Sequence, residues 1–282
     1  MRVLITGGAG FVGHHFVEHF LKNTDWEIVV FDKLNYAALG FDRLRDIEAY
    51  DDKRVTTLTA DFCYPLSVGI RQEIGEVDYI FHLGAESHVD NSIENPEPFA
   101  MSNVIGTLHM LDFALTLPQL KCFFYFSTDE VFGPAPEGVD YKEDDRHNPT
   151  NPYSATKSGG EMLVKCYRNT YGLPAIITRS MNIFGERQHP EKFIPKAINA
   201  ALTGDKLSIH ADSSKTRAGS RFYIHARNVA DAYLFLIREL EAGKPIIGED
   251  FHITGEREVD NLEMAQFIAK TIGKPLNYEM VD

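Results

Sequence analysis

The sequence predicts an α/β fold in which a doubly wound parallel sheet is followed by a smaller C-terminal lobe. A glycine-rich turn separates the first apolar strand from the first helix. Short, almost wholly apolar strands recur over the first 180 residues, as expected for strands that are covered on both faces. Stretches with helical spacing of apolar residues separate these strands, and this alternation is typical of a parallel sheet.

The alternation can be followed in order along the chain. Strands are predicted over residues 2–6, 27–31, 55–58, 77–83, 122–126 and 173–179. Long helices are predicted over residues 11–22, 99–117 and 153–171. Beyond residue 179 the pattern loosens, with helices near 193–202, 229–240 and 261–272. We therefore predict a Rossmann-type dinucleotide-binding domain over residues 1–180. Residues 181–282 are predicted to be mainly a substrate-binding lobe, with segments near 222–253 returning to the main sheet.

Composition and charge disfavour several classes of protein. The chain has 282 residues, of which 44% are hydrophobic and 24% charged, a globular composition. Its net charge of -13 argues against a nucleic-acid-binding protein. No apolar run approaches the ~20 residues of a membrane helix, and no signal peptide is visible, so we expect a cytoplasmic protein. Cys63, Cys122 and Cys166 lack metal-ligand spacing, so reduced thiols and no metal site are expected.

The start of the chain indicates a dinucleotide site. Gly7, Gly10 and Gly13 follow the first strand and open the first helix, where glycine permits a tight turn and close approach of backbone to pyrophosphate. Asp32 ends the second strand about 20 residues later, as expected for an acid that binds the adenosine ribose hydroxyls. A carboxylate there repels a 2′-phosphate, so NAD is favoured over NADP. The alternative is a structural glycine turn with a surface aspartate.

A tyrosine and a lysine four residues apart indicate proton transfer. Tyr153 and Lys157 share one face at the start of a predicted helix. A nearby ammonium favours the phenolate, so a tyrosine whose ordinary pKa is about 10 could act as a base. Such pairs occur by chance in many helices. The position after the fifth strand, behind Asn151 and Pro152, makes this one specific.

Two acids follow the fifth strand directly. Thr128, Asp129 and Glu130 stand where ligands bind in such sheets, at the carboxyl ends of the strands. Acid and base catalysis by adjacent carboxyls needs one protonated and one ionised group. The alternative is a solvated turn or a helix cap.

Seven stretches resemble one family. They are TGGAGFVG, FDKLNYAA, HLGAESHVDNSI, NVIGT, FSTDEVFG, NPYSATKSGGE and NIFGERQHPEKFIP. Together they resemble the extended short-chain dehydrogenase/reductases, and among these the dTDP-glucose 4,6-dehydratases. The Thr-Asp-Glu run is the most discriminating, because related epimerases and decarboxylases usually lack both acids.

The resemblance implies a lyase that removes water from a nucleotide sugar. Tyr153, helped by Lys157 and Thr128, would take the 4-hydroxyl proton while hydride passes from C4 to NAD+. Glu130 would then remove the C5 proton and Asp129 would protonate the departing C6 hydroxyl. Hydride return to C6 gives a 4-keto-6-deoxyhexose and regenerates NAD.

The resemblance also implies which residues bind each ligand. The expected cofactor contacts are Gly7, Gly10, Phe11, Val12, Gly13, Asp32, Lys33, Asp61, Phe62, Leu83, Ala85, Tyr153 and Lys157. The expected substrate contacts are Glu86, Ser87, His88, Asn182, Glu191, Lys192, Phe193, Arg217 and Arg221. Asp61 and Phe62 would flank the adenine or form a plain loop. Either Arg217 or Arg221 would hold the pyrophosphate, and that choice stays open because residues 213–228 depart from the family pattern. A homodimer through the helices at 99–117 and 153–171 is also expected.

Two other functions stay open at this point. A 4-epimerase or a uridine-diphosphate-glucuronate decarboxylase would share the first oxidation without needing both acids. A catalytically silent NAD-binding regulator is a third hypothesis, although the intact Tyr153/Lys157 pair and both acids argue against it.

Overall fold

The chain forms two compact units in the computed structural model, which describes residues 1–136 and 138–282. The first unit comprises Met1–Ser180 and Arg227–Ile253. The second comprises Met181–Ala226 and Thr254–Asp282. The segment that follows residue 226 therefore rejoins the first unit.

A seven-stranded parallel sheet forms the centre of the first unit. Its spatial order is β11-β6-β5-β4-β1-β2-β3, which confirms the predicted doubly wound arrangement. The strands are β1 (Arg2–Thr6), β2 (Glu27–Asp32), β3 (Val55–Thr59), β4 (Tyr79–His82), β5 (Cys122–Thr128), β6 (Ala175–Ser180) and β11 (Asp250–Ile253). Strand order reverses beside β1, and in such sheets ligands bind at the carboxyl ends of the strands near this point.

Helices surround this sheet, and their bounds follow local sequence signals. They are α1 (Phe11–Asn23), α2 (Asp42–Asp46), α3 (Val68–Ile74), α4 (Val89–Glu94), α5 (Glu97–Ala100), α6 (Thr107–Ala114), α7 (Pro152–Tyr171) and α9 (Ala226–Glu241). Helix α7 shows the signals best. Asn151 and Ser154 form a reciprocal capping box, Pro152 occupies the first turn, and Gly172 ends the helix with a left-handed φ of 69°. Such a cap stabilises a helix by about 1 kcal/mol.

The predicted helix at 99–117 is not regular. Between α5 and α6, Met101–Gly106 forms a π-helical segment. Asn103 and Gly106 are both buried within it. Wide turns of this kind occur often at functional sites, because they turn a side chain out of its usual helical direction.

The second unit contains short paired strands and two helices. Strands β7 (Ile183–Phe184) and β10 (Ile224–His225) pair in parallel, as do β8 (Leu207–His210) and β13 (Tyr278–Val281). Strands β9 (Ser220–Phe222) and β12 (Glu258–Asp260) pair antiparallel. The helices are α8 (Phe193–Thr203) and α10 (Asn261–Ile272). A small apolar core includes Ala197, Ala200, Leu207, Ile209 and Ala265.

Within the described part of the chain, none of the helices has the length and apolar character needed to span a membrane.

Candidate active site

The glycine turn, residues 7–13, joins β1 to α1 through close backbone contacts. Gly7 has a φ of 68°, and its amide donates to the Phe31 carbonyl at 2.8 Å. A β-carbon on Gly13 would lie 2.1 Å from the Gly7 carbonyl oxygen, so no side chain fits there. Within the described chain, no side chain caps α1 at Gly10. The amides of Phe11, Val12 and Gly13 are thus available for a pyrophosphate at a helix N-terminus, and the site fits NAD.

Asp32 is tied to this turn by backbone amides. Its two carboxylate oxygens accept from Ala9 N at 3.1 Å and Leu34 N at 2.9 Å, and the residue is buried. Burial raises the pKa of Asp32, while these amides and the Lys33 charge oppose that rise by favouring the carboxylate. Asp32 is therefore held beside the glycine turn, where a ribose hydroxyl could reach its remaining lone pairs.

Behind the glycine turn, a buried histidine links three segments. The His82 ring nitrogens lie 2.8 Å from Thr6 Oγ1 and 3.2 Å from Thr107 Oγ1. Burial lowers the pKa of His82 to about 3, so the ring is neutral at physiological pH. The Gly84 amide donates to the same Thr6 hydroxyl at 3.1 Å. His82 therefore fixes the end of β4, from which Leu83 and Ala85 continue.

The two residues predicted to flank the adenine are placed differently. Asp61 accepts from the Cys63 amide at 2.9 Å and is partly exposed. The ring of Phe62 is buried in the main core, packed against Phe31 and His82. It also lies so close to Gly84 that a β-carbon there would meet the ring at 2.6 Å. The Phe62 side chain therefore fills the core, which leaves its backbone as the part able to meet a base.

One predicted cofactor residue pairs with a predicted substrate residue. Lys33 Nζ lies 2.7 Å from Glu86 Oε1, and Asn35 donates to the same oxygen at 3.1 Å. Burial opposes the charge on Lys33, but the bond and charge of Glu86, together with the nearby Cys63 and Asp61, outweigh it and raise the pKa of Lys33. Ser87 is exposed, and His88 caps α4 by accepting from the Asn91 amide at 3.3 Å. Glu86 is thus bound to the cofactor side of the site, while His88 has a structural role as a cap.

The predicted acids lie in a single turn of 3₁₀-helix at the end of β5. We call Asp129–Phe132 the acid turn. Thr128 begins it, with its hydroxyl accepting from the Glu130 amide at 3.3 Å and donating to Asp129 Oδ1 at 3.2 Å. Asn151 donates to Glu130 Oε2 at 3.2 Å. Both carboxyls are partly exposed, as groups that must meet a substrate should be.

Tyr153 joins this group of residues. A hydrogen bond links its phenol to the Thr128 hydroxyl. Burial, together with the charges of Glu130 and Asp129, raises the pKa of Tyr153, and the Thr128 bond lowers it only in part. This direction is opposite to the one the Tyr153/Lys157 spacing suggested. Burial of the phenol is the main cause of the difference, and the charges of the acid turn add to it, since both disfavour a phenolate.

Lys157 is buried one helical turn further along α7. Its Nζ donates to the Phe126 carbonyl at 2.6 Å and lies 4.4 Å from the centre of the Tyr125 ring. Burial lowers the pKa of Lys157 to about 7, and the charge of Glu161 opposes that shift. Lys157 therefore titrates near neutral pH and is anchored to β5, the strand that carries the acid turn.

Two positioning side chains were not singled out from the sequence. Asn103, in the π-helical segment, binds both the amide and the carbonyl of Glu86, at 2.9 and 3.0 Å, and reaches Thr156 Oγ1 at 3.1 Å. Ser92 Oγ accepts from the Tyr153 amide at 3.1 Å. Both lie inside stretches that carried the family resemblance, NVIGT and HLGAESHVDNSI. Their residue types gave no chemical signal, because amides and hydroxyls are common on surfaces.

Six of the predicted substrate residues lie in the second unit. Asn182 accepts from the Ile224 amide through its carbonyl at 3.2 Å. Glu191 lies 3.4 Å from His189 Nδ1 and 4.0 Å from Lys192 Nζ, and Phe193 begins α8. The remaining two, Arg217 and Arg221, are both exposed. The Arg221 guanidinium donates to the Ser220 carbonyl at 2.7 Å, and the Arg217 amide donates to Asp212 at 3.1 Å.

The three cysteines differ in burial. Cys63 and Cys122 are buried, and Cys166 is exposed. Burial raises the pKa of Cys63 to about 12 and raises that of Cys122 as well, so both remain thiols. Over residues 1–136 and 138–282, no group of three or more His, Cys, Asp or Glu residues is arranged to hold a metal ion.

The first unit thus brings together a hydroxyl, a phenol and two carboxyls beside a turn suited to a dinucleotide. Thr128 contacts both Asp129 and Tyr153, and the two acids act electrostatically on the phenol. Such a group can remove one proton from a substrate hydroxyl and transfer further protons at neighbouring atoms.

The chain matches a known protein family and is similar to a protein of Haloferax volcanii. Residues 3–254 match the family described as the NAD dependent epimerase/dehydratase family. The chain is 40% identical over 281 residues to the low-salt glycan biosynthesis protein Agl12 of Haloferax volcanii, covering 97% of this chain and 83% of that protein.

A plant protein and a solved structure are similar as well. The trifunctional UDP-glucose 4,6-dehydratase/UDP-4-keto-6-deoxy-D-glucose 3,5-epimerase/UDP-4-keto-L-rhamnose-reductase RHM2 of Arabidopsis thaliana is 36% identical over 277 residues. That match covers 97% of this chain and 40% of the plant protein. DesIV, a dTDP-glucose 4,6-dehydratase from Streptomyces venezuelae solved with NAD and TYD bound, superposes with a TM-score of 0.85 at 33% identity. It matches 100% of this chain and 85% of its own.

Proposed function

The chain belongs to the NAD-dependent epimerase/dehydratase family, and on that premise we propose that it is a nucleotide-sugar 4,6-dehydratase. The proposed reaction converts a nucleoside-diphosphate hexose to its 4-keto-6-deoxy derivative with loss of water. The enzyme would be a lyase and not an oxidoreductase, because the net reaction eliminates water and NAD is regenerated in each turnover.

The acid turn supports the dehydratase reaction most directly. Elimination of water across C5 and C6 needs a base for the C5 proton and an acid for the C6 hydroxyl. Asp129 and Glu130 are adjacent, partly exposed and both close enough to Tyr153 to affect its pKa. A 4-epimerase needs the phenol but not this pair of carboxyls.

Each proton transfer of the proposed reaction is assigned to one residue of the chain. Tyr153 accepts the proton of the sugar 4-hydroxyl, and its bond to Thr128 lowers the pKa of the phenol toward that role. When bound, NAD+ supplies the electron sink for oxidation at C4, returns the hydride to C6 and adds a positive charge that favours an ionised phenol. Glu130 removes the C5 proton, which the 4-ketone has made acidic, and gives a proton back to C5 when hydride adds to C6. Asp129 protonates the C6 hydroxyl as it leaves.

The cofactor would be held by the first unit alone. The amides at the start of α1 would receive the pyrophosphate, and Asp32 would bind the adenosine ribose. The second unit would supply substrate contacts from Asn182, Glu191 to Phe193, and either Arg217 or Arg221. The homodimer through the helices at 99–117 and 153–171 remains a prediction.

The mass of the product tests this function. Incubation with a panel of UDP- and dTDP-hexoses should give a product lighter by one water, without net consumption of added NAD. A new product of unchanged mass would indicate an epimerase, and loss of carbon dioxide would indicate a decarboxylase. Bound NAD without turnover of any nucleotide sugar would support the hypothesis of a catalytically silent NAD-binding regulator.

Two variants test the acids individually. We expect Asp129→Asn and Glu130→Gln each to lose about 100-fold or more in kcat, the usual contribution of a positioned acid or base. Both substitutions keep size and hydrogen bonding, so binding of NAD should be unchanged. Full turnover in either variant would show that its carboxyl is not the acid or base of this reaction.

A further inference from the structure

The last residue of the acid turn is buried in an unusual set of neighbours. Phe132 is 1% exposed. Its ring centre lies 5.0 Å from the guanidinium carbon of Arg179 and 5.3 Å from the Tyr141 ring, on which it stacks. The rings of His147 and His252 contact it edge-on, at 5.3 and 5.5 Å. Three residues after Asp129, the turn is therefore anchored by an aromatic ring against a cation.

Arg179 connects that ring to the helix that carries Tyr153 and Lys157. Its Nε donates to both carboxylate oxygens of Glu161, at 2.9 and 3.1 Å, and both residues are fully buried. Glu161 stands one turn after Lys157 on α7 and opposes the burial-driven fall in the pKa of Lys157. The guanidinium also donates to Asp250 on β11 at 3.0 Å and to the Glu143 carbonyl at 3.1 Å.

The two ends of the acid turn are therefore held by different means. Thr128, at its start, belongs to β5 and is in register with Ser180 of β6, so the backbone ladder fixes it. Asp129 and Glu130 lie beyond that ladder, between Thr128 and the Phe132 ring. Thr128 and Asn151 bind the two acids on one side, and the Phe132 ring anchors the turn on the other, so their orientation depends on both. The ring is seated against Arg179, Tyr141, His147 and His252.

We propose that Phe132 and Arg179 are positioning residues that set the two carboxyls of the acid turn relative to Tyr153 on α7. The inference rests on the proposed 4,6-dehydratase function. It assigns the pair to the elimination step. Oxidation at C4 uses Tyr153 and Thr128, which are held by α7 and by the sheet. Elimination uses Glu130 for the C5 proton and Asp129 for the proton that leaves with the C6 hydroxyl as water.

Weaker packing around the Phe132 ring should therefore slow the elimination of water more than the oxidation at C4. C4 oxidation would proceed, converting the sugar to its 4-ketone and NAD+ to NADH. Removal of the C5 proton and departure of water would slow, so the hydride would have no C6 acceptor and bound NADH would accumulate. A general loss of folding would instead lower both steps together, without a reduced cofactor.

Phe132→Leu tests this with little change of volume. We expect kcat for product formation to fall about tenfold or more, because a ~1 Å misplacement of a reacting group can cost on the order of 100-fold. The first-turnover rate of C4 oxidation should stay close to that of the wild type. The near-ultraviolet absorbance of NADH during turnover, and exchange of the C5 hydrogen with deuterated solvent, report the stalled step.

Phe113→Leu is the matched control. Phe113 is an equally buried phenylalanine in α6, within the main core and away from the acid turn. It should show comparable thermal destabilisation without accumulation of NADH. Phe132→Tyr, which keeps an aromatic ring, should restore most of the turnover that Phe132→Leu loses.

Arg179→Lys keeps the charge and removes the fork that binds Glu161 on α7, so it should slow oxidation as well as elimination. Phe132→Leu and Phe132→Tyr therefore carry the test. Equal loss of oxidation and elimination in Phe132→Leu, with no NADH, would overturn the inference. Failure of the wild type to release water from any nucleotide sugar would instead overturn the proposed function.

Discussion

The glycine turn and the acid turn each follow a strand of the same parallel sheet, yet they are held in place differently. The glycine turn is held mainly through its backbone atoms, by the bond from Gly10 to Gly7, the contact of Gly13 with Gly7, and bonds from its amides to Phe31 and Asp32 on β2. The acid turn is held by side-chain contacts, those of Glu130 with Asn151 and of Phe132 with Arg179. The first depends largely on backbone geometry, whereas the second depends on side-chain packing.

This difference matches the different tasks of the two turns, which are cofactor binding at the glycine turn and proton transfer at the acid turn. A dinucleotide needs amides and free space, which a short run of glycines provides by itself. Proton transfer needs carboxyls and a phenol at fixed separations and with chosen protonation states, which neighbouring side chains determine. The two regions should therefore respond differently to substitution.

The largest effect is expected at the phenol. Tyr153→Phe should lower kcat by about 100- to 10,000-fold, since it removes the group that accepts the 4-hydroxyl proton. NAD affinity should stay close to that of the wild type, because the glycine turn is untouched. Steady-state kinetics and a fluorescence titration with NADH would measure the two quantities.

Tyr167→Phe is the control for this substitution, because Tyr167 lies on the same helix and is also largely buried. It should retain turnover. If Tyr153→Phe retained turnover, or lost NAD binding in proportion to activity, the division between the regions would not hold.

A smaller effect is expected at the glycine turn, where a substitution should weaken NAD binding and stability while the acid turn is unaffected. In Gly13→Ala the new methyl group would lie 2.1 Å from the Gly7 carbonyl oxygen and 2.6 Å from the Gly8 α-carbon. Because both neighbours are backbone atoms, the turn must shift, with a loss of stability of about 1–3 kcal/mol. NAD affinity should fall while the acid turn keeps its structure. Urea unfolding and calorimetric titration would measure both losses.

Gly69→Ala in α3 is the matched control. A β-carbon there would meet only Ser67 Oγ, at 4.0 Å, so stability should be unchanged or higher by up to about 1 kcal/mol. Normal NAD affinity in Gly13→Ala would show that the turn tolerates a side chain and that its spacing is not what binds the cofactor.

The smallest expected effect concerns His82, which contacts both Thr6 at the end of β1 and Thr107 at the start of α6. Burial lowers the pKa of His82 from its ordinary 6.5 to about 3. Between these values the unfolded chain binds a proton that the folded chain does not. The free energy of unfolding should therefore decrease as the pH falls below 6.5, by at most about 1.4 kcal/mol per pH unit from this group.

Urea titrations between about pH 7.5 and pH 5, roughly the range in which the linkage of one histidine is visible, would measure that slope. His82→Gln keeps a polar group for Thr6 and Thr107 but does not titrate. It should show a shallower dependence than the wild type, since all other titrating groups are shared. Identical slopes would show that His82 does not contribute to acid sensitivity.

Much of the fold could be predicted because its signals are local. Apolar strands, the Asn151–Pro152 helix start and the glycine spacing each depend on neighbouring residues. The π-helical segment could not be predicted, since Met101–Gly106 shows ordinary helical spacing. The burial of the Phe62 ring was not apparent either, because an aromatic residue after a strand suits a pocket or a core equally well.

The sequence indicated which residues come together in the candidate site, but it did not indicate the direction in which the pKa of Tyr153 shifts. Thr128, Asp129, Glu130 and Tyr153 meet in one group, as their positions after β5 and at the start of α7 suggested. The spacing of Tyr153 and Lys157 suggested a lowered pKa for the phenol. The structure raises it, because burial and two nearby carboxylates act together. The substrate residues of the second unit remain a prediction.

The sequence by itself determined the parallel sheet, the glycine turn, the acid that ends β2 and the identity of the acid-turn residues. These depend on backbone geometry and on periodicity, which act over a few residues. Only the tertiary structure decided how Arg179, Glu161, Asn103 and His82 hold those elements and which charges face Tyr153. Burial and charge act through space, so they depend on residues far apart in the chain that folding brings together.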